Sequence, residues 1–270
     1  MQAANSVQKR LTNGDASYGV WQMLPGSNLT RTMCRSAGNI DWILVDQEHG
    51  NISDDSMHEI VAAAAACGVS PVVRVMEGQR WMIKRALDAG AHGILVPMLD
   101  TAEEARKVVE YSKYPPLGRR GFEPLLAVDK FVEQHPHGGP IKQLTGLEYL
   151  AQANSSLVIA VQIETMEGLR NAKEIAEVPG IDVLFIGPFD LGLNIGHPVP
   201  TSGEMAQELI NAIDKVQKAA AAAGKLSGIY CDTGEQARGY AKQGFKMISV
   251  ITDMIALRKT FRENLDALSS

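Results

Sequence analysis

The sequence predicts an α/β chain closing into a (β/α)8 TIM barrel, and three observations carry that expectation. Apolar, β-branched runs of about 5–8 residues alternate with helical patterns of about 10–16 residues along the chain. Eight such runs can be counted, at 18–24, 41–48, 71–76, 93–99, 157–164, 182–187, 227–232 and 246–252. No glycine-rich dinucleotide fingerprint follows the first run, where the chain reads Gly-Val-Trp-Gln, so a closed barrel fits better than an open doubly wound sheet. With 270 residues, 45% of them hydrophobic, the chain can bury one large core, and a single barrel domain over 1–270 is expected.

Taken in order, the segments AGNID, CGVSP, AGAHG and VPGID each place a glycine just before a strand, where it closes the preceding helix. The alanine-rich stretches 57–67 and 205–223 read as helices, with Ser53 and Ser202 as N-caps. Two segments exceed what a barrel needs. The first, 114–156, is a loop-helix insertion before strand five, with a helix near 141–152; its length suggests a site or a subunit contact. The second is a C-terminal helix, 253–268, expected to cover the barrel bottom or to pack on a neighbouring subunit.

Charge and cysteine usage exclude several classes. The net charge of -5 offers no basic field for nucleic acid or an anionic membrane. Cys34, Cys67 and Cys231 lack metal-ligand spacing and read as free thiols of a reducing compartment. The N-terminal stretch MQAANSVQKRLTNGD has no signal-peptide core, and no uncharged run of about 18 apolar residues occurs, so a cytoplasmic protein is expected.

The chemistry gathers where strands end. Strand two ends in Asp46-Gln47-Glu48-His49-Gly50, polar where packing favours apolar residues. Strand three carries Arg74 between valines, and a buried guanidinium must be paired or face a ligand; Asp46 and Glu48 are its candidate partners. Strand five places Gln162 and Glu164 on one face, and strand six delivers Asp190 after the Gly187-Pro188 break, where backbone amides are free to hold an anion. Two carboxylates from adjacent strands can share one hard cation, Mg²⁺ or Mn²⁺ with Co²⁺ as a third choice, rather than zinc. Paired acids also serve glycoside hydrolysis, so the pair alone leaves both chemistries open.

The segments GVWQMLPG, DWILVDQEHG, PVVRV, GILVPM, TAEEARKVVEYSKYPPLGRRG, VQIET and FIGPFDLG, in this order, resemble the HpcH/HpaI aldolase family of metal-dependent class II pyruvate aldolases, which includes 4-hydroxy-2-oxoheptanedioate and 2-dehydro-3-deoxyglucarate aldolases. The resemblance runs from Gly19 to Leu191 and more weakly beyond. It implies that His49 is the general base, that Arg74 steadies an enolate, and that Glu164 and Asp190 are the metal ligands. It also implies that Gln162 lies near the substrate oxygens, that Trp21 lines the pyruvyl pocket, and that amides from Gly187 through Phe189 to Asp190 hold the pyruvate carboxylate. The partners implied are a small 2-oxo acid and an aldehyde, and relatives assemble as trimer-based hexamers.

The chain departs from the family pattern at Asp100, at Phe189, where relatives carry a small residue, and at Gly121-Phe122-Glu123-Pro124. These changes bear on the aldehyde half, because the insertion and Phe189 are expected to border its pocket. Arg119 or Arg120 could meet a distal carboxylate or sit on the surface. His135 and His137 read as surface loop, and Met76, Met82 and Met98 as packing. Lys246 is the candidate for a Schiff-base aldolase, but nothing in the sequence lowers its pKa. Besides the aldolase reading, a malyl- or citryl-thioester lyase on a similar barrel and a catalytically idle metal-binding scaffold stay open.

Overall fold

The structure, a computed structural model, describes residues 1–132 and 144–268. Eight parallel strands run β1 Ser17–Gln22, β2 Trp42–Asp46, β3 Ser70–Arg74, β4 Gly93–Val96, β5 Val158–Ile163, β6 Val183–Ile186, β7 Leu226–Ile229 and β8 Met247–Thr252. They form a closed barrel in sequence order, with β1 paired to β8. The helices are α1 Ser6–Thr12, α2 Ser27–Arg35, α3 Asp54–Ala66, α4 Arg80–Asp88, α5 Ala102–Ser112, α6 Gly146–Ser156, α7 Met166–Arg170, α8 Ala172–Ala176, α9 Pro188–Asn194, α10 Gln207–Ala222, α11 Gly234–Lys242 and α12 Asp253–Asp266. The eight expected strands are all present. Several end earlier than the sequence suggests, because Glu48, Glu164, Gly187 and Asp232 lie just past the last ladder bond, on the turns that shape the C-terminal face.

Strand alternation divides the core in two. Trp42, Leu44, Val72, Leu95, Val158, Ala160, Val183, Phe185 and Met247 fill the barrel, while intervening residues such as Ile94, Ile159 and Leu184 pack outward against the helices. Gly19 makes the lower filling possible. A Cβ there would come within 2.0 Å of the Trp42 indole, so only a residue without one lets this fully buried ring pass beneath β1.

The barrel floor is closed by α1, so of the two roles expected for the last helix, covering the barrel bottom is not the one it takes. Val7 and Leu11 join the interior cluster, and Asn5 donates to the carbonyls of His92 and Ser156 at 2.9 and 2.8 Å. Helix α12 touches β1 and β8 but leaves Leu257, Phe261 and Leu265 exposed, as is Leu268 just past its end. Ser53 caps α3 by accepting from the Ser56 amide, whereas the cap position of α10 is Ala206, with no side-chain cap, rather than Ser202. Met82 packs against the core as expected, but Met76 and Met98 are exposed on turns past β3 and β4.

The insertion lies on the N-terminal face, because it joins the end of α5 to the start of β5. Arg120 is buried there, paired with Asp88 at 2.9 Å and lying over the Tyr114 ring at 4.8 Å, while exposed Arg119 pairs with Glu110. The described part of this segment is therefore a floor structure remote from the strand ends. His135, His137 and the expected start of its helix lie outside the described residues.

His92 sits at the junction of floor and insertion. Its Nε2 is 2.7 Å from the Lys130 carbonyl, and its ring stacks on Phe131 at 4.2 Å. Complete burial holds the imidazole down at about 4. The unfolded chain takes a proton as pH falls through about 6.5 and the folded one does not until about 4, so stability is lost across that window. At pH 5 the loss from this group is expected to be about 2 kcal/mol relative to pH 7. Denaturant titrations at both pH values should show this difference shrinking by about that amount in His92→Gln.

Candidate active site

The alternation that fills the barrel also builds the site. On β2 the inward series Trp42, Leu44 continues to Asp46; on β3 Val72 leads to Arg74; on β5 Val158 and Ala160 lead to Gln162 and then Glu164; on β6 Val183 and Phe185 lead to Gly187. Pairing sets Asp46 beside Arg74 and Trp21 beside Leu44. The result is a polar layer resting on apolar filling at the C-terminal face. A cavity of about 160 Å³ opens there, and Trp21, Asp46, His49, Arg74, Gln162, Gly187, Phe189 and Asp190 all line it. Glu48 and Glu164 stand immediately behind, bound to lining residues.

Asp46 is fully buried and accepts five hydrogen bonds. Arg74 Nε and Nη2 donate at 3.0 and 2.6 Å, Trp21 Nε1 at 3.0 Å, and the amides of Glu48 and His49 at 3.0 and 3.2 Å. Burial alone would raise its pKa, but the bonds and charge of Arg74 outweigh it and hold the carboxyl below its usual range. Arg74 Nη1 lies 2.8 Å from Glu48 Oε2, and the guanidinium covers the Trp21 ring at 4.8 Å. The sequence offered Asp46 or Glu48 as the partner of Arg74; both are engaged. His49, with its side chain 60% exposed, follows on the same turn with Nε2 3.9 Å from Glu48 Oε2.

Glu164 is the second fixed point. It is 1% exposed, accepts from the Met98 amide at 2.9 Å through Oε1, and accepts from Gln162 Nε2 at 2.6 Å through Oε2. Burial pushes its pKa up to about 7, with the negative charges of Asp190 and Glu48 adding to the shift against the Met98 amide and Arg74. Gln162 Oε1 is buried without a hydrogen-bond partner. A Cβ on Gly187 would stand 2.2 Å from Glu164 Oε2, so glycine is what lets β6 approach the carboxylate.

These features fit a hard divalent cation. Mutually repelling carboxylates and an unsatisfied amide oxygen are oxygen donors in need of positive charge. Among the described residues no group of three or more His, Cys, Asp or Glu could hold a metal alone, so a cation at Glu164 and Asp190 would complete its shell with other oxygens.

Several site residues were not read from the sequence. Met98 contributes its backbone amide from a left-handed conformation, φ 51°, which costs energy for a residue with a side chain and has no sequence signature. Met23, Pro188, Tyr230 and Thr252 also line the cavity. Tyr230 and Asp232 carried a usable signal, since β7, like β5 and β6, runs into an acid. Asp100 accepts from the Thr165 hydroxyl beside Glu164, and Asn171 donates to its carbonyl at 2.8 Å, which ties the turn after β4 to the turn after β5. Lys246 lies at the opposite end of the barrel, donating to the Gly14 carbonyl at 2.6 Å, and the insertion arginines do not reach the cavity.

The family described as HpcH/HpaI aldolase/citrate lyase matches residues 18–259. The chain belongs to this family. It is 34% identical over 267 residues to a hydroxypyruvate/pyruvate aldolase of Chromohalobacter salexigens, with 98% of each chain covered. It is 38% identical to a 2-keto-3-deoxy-L-rhamnonate aldolase of Salmonella schwarzengrund, covering 83% of this chain and 79% of the relative. Among solved structures, an HpcH/HpaI aldolase of Desulfitobacterium hafniense superposes with a TM-score of 0.86 at 25% identity, covering 98% of this chain and 96% of that one. The citrate lyase β subunit of Mycobacterium tuberculosis, complexed with oxaloacetate and magnesium, shares the fold at 16% identity with a TM-score of 0.54, covering 86% and 91%.

Gly187→Ala provides a direct test of the cradle. The added methyl must displace the Glu164 carboxylate, so titration calorimetry with Mn²⁺ is expected to show affinity reduced about 10-fold or more, with far-ultraviolet circular dichroism unchanged.

Proposed function

We propose that the chain, acting as one barrel domain, is a class II aldolase that reversibly cleaves the C3–C4 bond of 4-hydroxy-2-oxo acids to pyruvate, or a close 2-oxo acid, and an aldehyde. The observation that carries this reading is that Asp190, the braced Arg74 guanidinium and the exposed His49 imidazole line one cavity, with the buried Glu164 carboxylate directly behind its Gln162 wall. Glu164 and Asp190 would hold Mg²⁺ or Mn²⁺, with Co²⁺ as a third choice. When bound, the cation supplies Lewis-acid polarisation of the 2-oxo group.

The remaining work falls to the chain itself. Arg74, held rigid by Asp46 and Glu48, presents positive charge to the oxygen that becomes an enolate. His49 accepts the proton of the C4 hydroxyl as the C3–C4 electron pair moves toward C2 and the aldehyde departs. Returning one proton to C3 gives pyruvate, so the reaction balances without an oxidant or reductant. Trp21 walls the small 2-oxo acid side, Gln162 faces its oxygens, and the backbone from Gly187 to Asp190 offers amides to its carboxylate. A thioester lyase is less well supported: among the described residues lining the cavity, Arg74 is the one lysine or arginine, and it is already paired.

A homo-oligomer completes the reading. The apolar stripe on α12, Leu257, Phe261 and Leu265, repeats at helical spacing, as a subunit contact does, and exposed Leu268 follows just past the helix. Free Cys34, Cys67 and Cys231 suit a reducing cytoplasm, and among the described residues no helix is long and apolar enough to cross a membrane.

Pyruvate release from a 4-hydroxy-2-oxo acid should vanish in EDTA, return with Mg²⁺ or Mn²⁺, and survive borohydride treatment. Persistence in EDTA with loss to borohydride overturns the metal reading. His49→Ala is expected to lower kcat by about 10²–10⁴-fold, and an unchanged kcat removes His49 as the base. Sedimentation of the double variant Phe261→Glu, Leu265→Glu should show smaller particles than the parent protein.

A further inference from the structure

A second chamber of about 270 Å³ adjoins the active-site cavity. The two share Pro188, Phe189 and Tyr230. Phe189 and Tyr230 form the partition, their rings edge to face at 6.0 Å, and Tyr230 also meets Trp21 edge on at 5.2 Å. The cavity that holds Arg74 and Asp190 is small, since sites for ligands of moderate size measure roughly 300–1,000 Å³. A substrate longer than its reacting end must continue elsewhere. Another large cavity, beside Met76 and Tyr111, shares no lining residue with the catalytic one. The chamber beyond Phe189 and Tyr230, by contrast, shares three lining residues with the catalytic cavity.

Its lining has a definite chemistry. Val199, Pro200 and Met205 supply apolar surface, while Asp232 and Gln236 supply polar groups. Asp232 is its one charged residue, and no lysine, arginine or histidine is among the described residues that line it. The Asp232 carboxylate is oriented at the junction by the Tyr230 hydroxyl, which donates to Oδ1 at 2.7 Å, and its amide donates to Gln236 Oε1 at 3.1 Å. Asp232 Oδ2 leaves lone pairs for a donor from a ligand.

We propose that this chamber receives the distal part of the aldehyde half and selects uncharged, hydroxyl-bearing aldehydes against carboxylated or phosphorylated ones. The inference rests on the aldolase reading above, which places the 2-oxo acid at the Arg74 and Glu164 end. A hydroxyl beside Asp232 gains a charge-assisted hydrogen bond, whereas a carboxylate or phosphate meets a like charge with no cation to offset it. Phe189 and Tyr230 hold the carbon chain between the two chambers, which gives the departure at Phe189 a role in the choice of aldehyde.

The test compares D-glyceraldehyde with succinic semialdehyde as acceptors for pyruvate and Mg²⁺. The parent enzyme should favour glyceraldehyde by about 10-fold or more in kcat/KM. Asp232→Asn should lower that ratio about 5-fold, and Gln236→Lys, which adds a cation at an exposed position, about 10-fold or more. A parent enzyme that prefers succinic semialdehyde, or a ratio moved by neither substitution, overturns the inference. Exchange of the pyruvate methyl hydrogens in D₂O without aldehyde separates the two levels. Exchange with the wrong selectivity sinks the chamber assignment alone; no exchange sinks the aldolase reading and the assignment with it.

Discussion

The ion pair of Asp46 and Arg74 is the constraint around which the C-terminal face is arranged. An arginine pointing into a barrel is tolerable only with its charge matched and its donors used, because desolvating an unpaired guanidinium costs several kcal/mol. Asp46 meets that demand from the adjacent strand in a two-pronged geometry. Its remaining lone pairs then fix the Trp21 indole and the first turn of backbone after β2. The turn that bears Glu48 and His49 is thus set by the same carboxylate that neutralises Arg74. Removing Asp46 would free three elements at once.

Across the cavity the electrostatics have the opposite sense. Arg74 is nearly over-satisfied, whereas Glu164 is pushed up mainly by burial and further by the nearby negative charge of Asp190 and Glu48. One wall is a closed account of charge and the other is open. That asymmetry suits a site where a cation arrives with, or ahead of, an anionic substrate. The backbone has been shaped to permit it, through the left-handed Met98 that aims an amide at Glu164 and the glycine that keeps β6 clear of it.

Much of this was legible from residue types alone, for a physical reason. In a barrel, strand alternation assigns every second residue to the interior, so Asp46, Arg74, Gln162 and Glu164 could be placed together once eight strands were counted. What escaped was of three kinds. Met98 acts through its backbone, which no side-chain pattern reveals. Asp232 obeys the rule that singles out Glu164 and Asp190, a buried strand running into an acid, but it stands where the family motifs thin out. The insertion's length does not reveal its direction: a segment joining α5 to β5 must run along the N-terminal face, which keeps Arg119 and Arg120 away from the cavity.

The floor plug has a consequence for how the chain is assembled. Asn5 is bonded to carbonyls at His92 and Ser156, and Val7 and Leu11 sit among residues as distant as Val183 and Met247. During synthesis from the N-terminus, α1 is made before all eight barrel strands and finds its seat only after the last of them. Until the later strands emerge, its apolar face has no partner of its own, and the first half-barrel stands open at the base. The floor is thus a contact of high sequence separation, closed only when both halves of the chain are present.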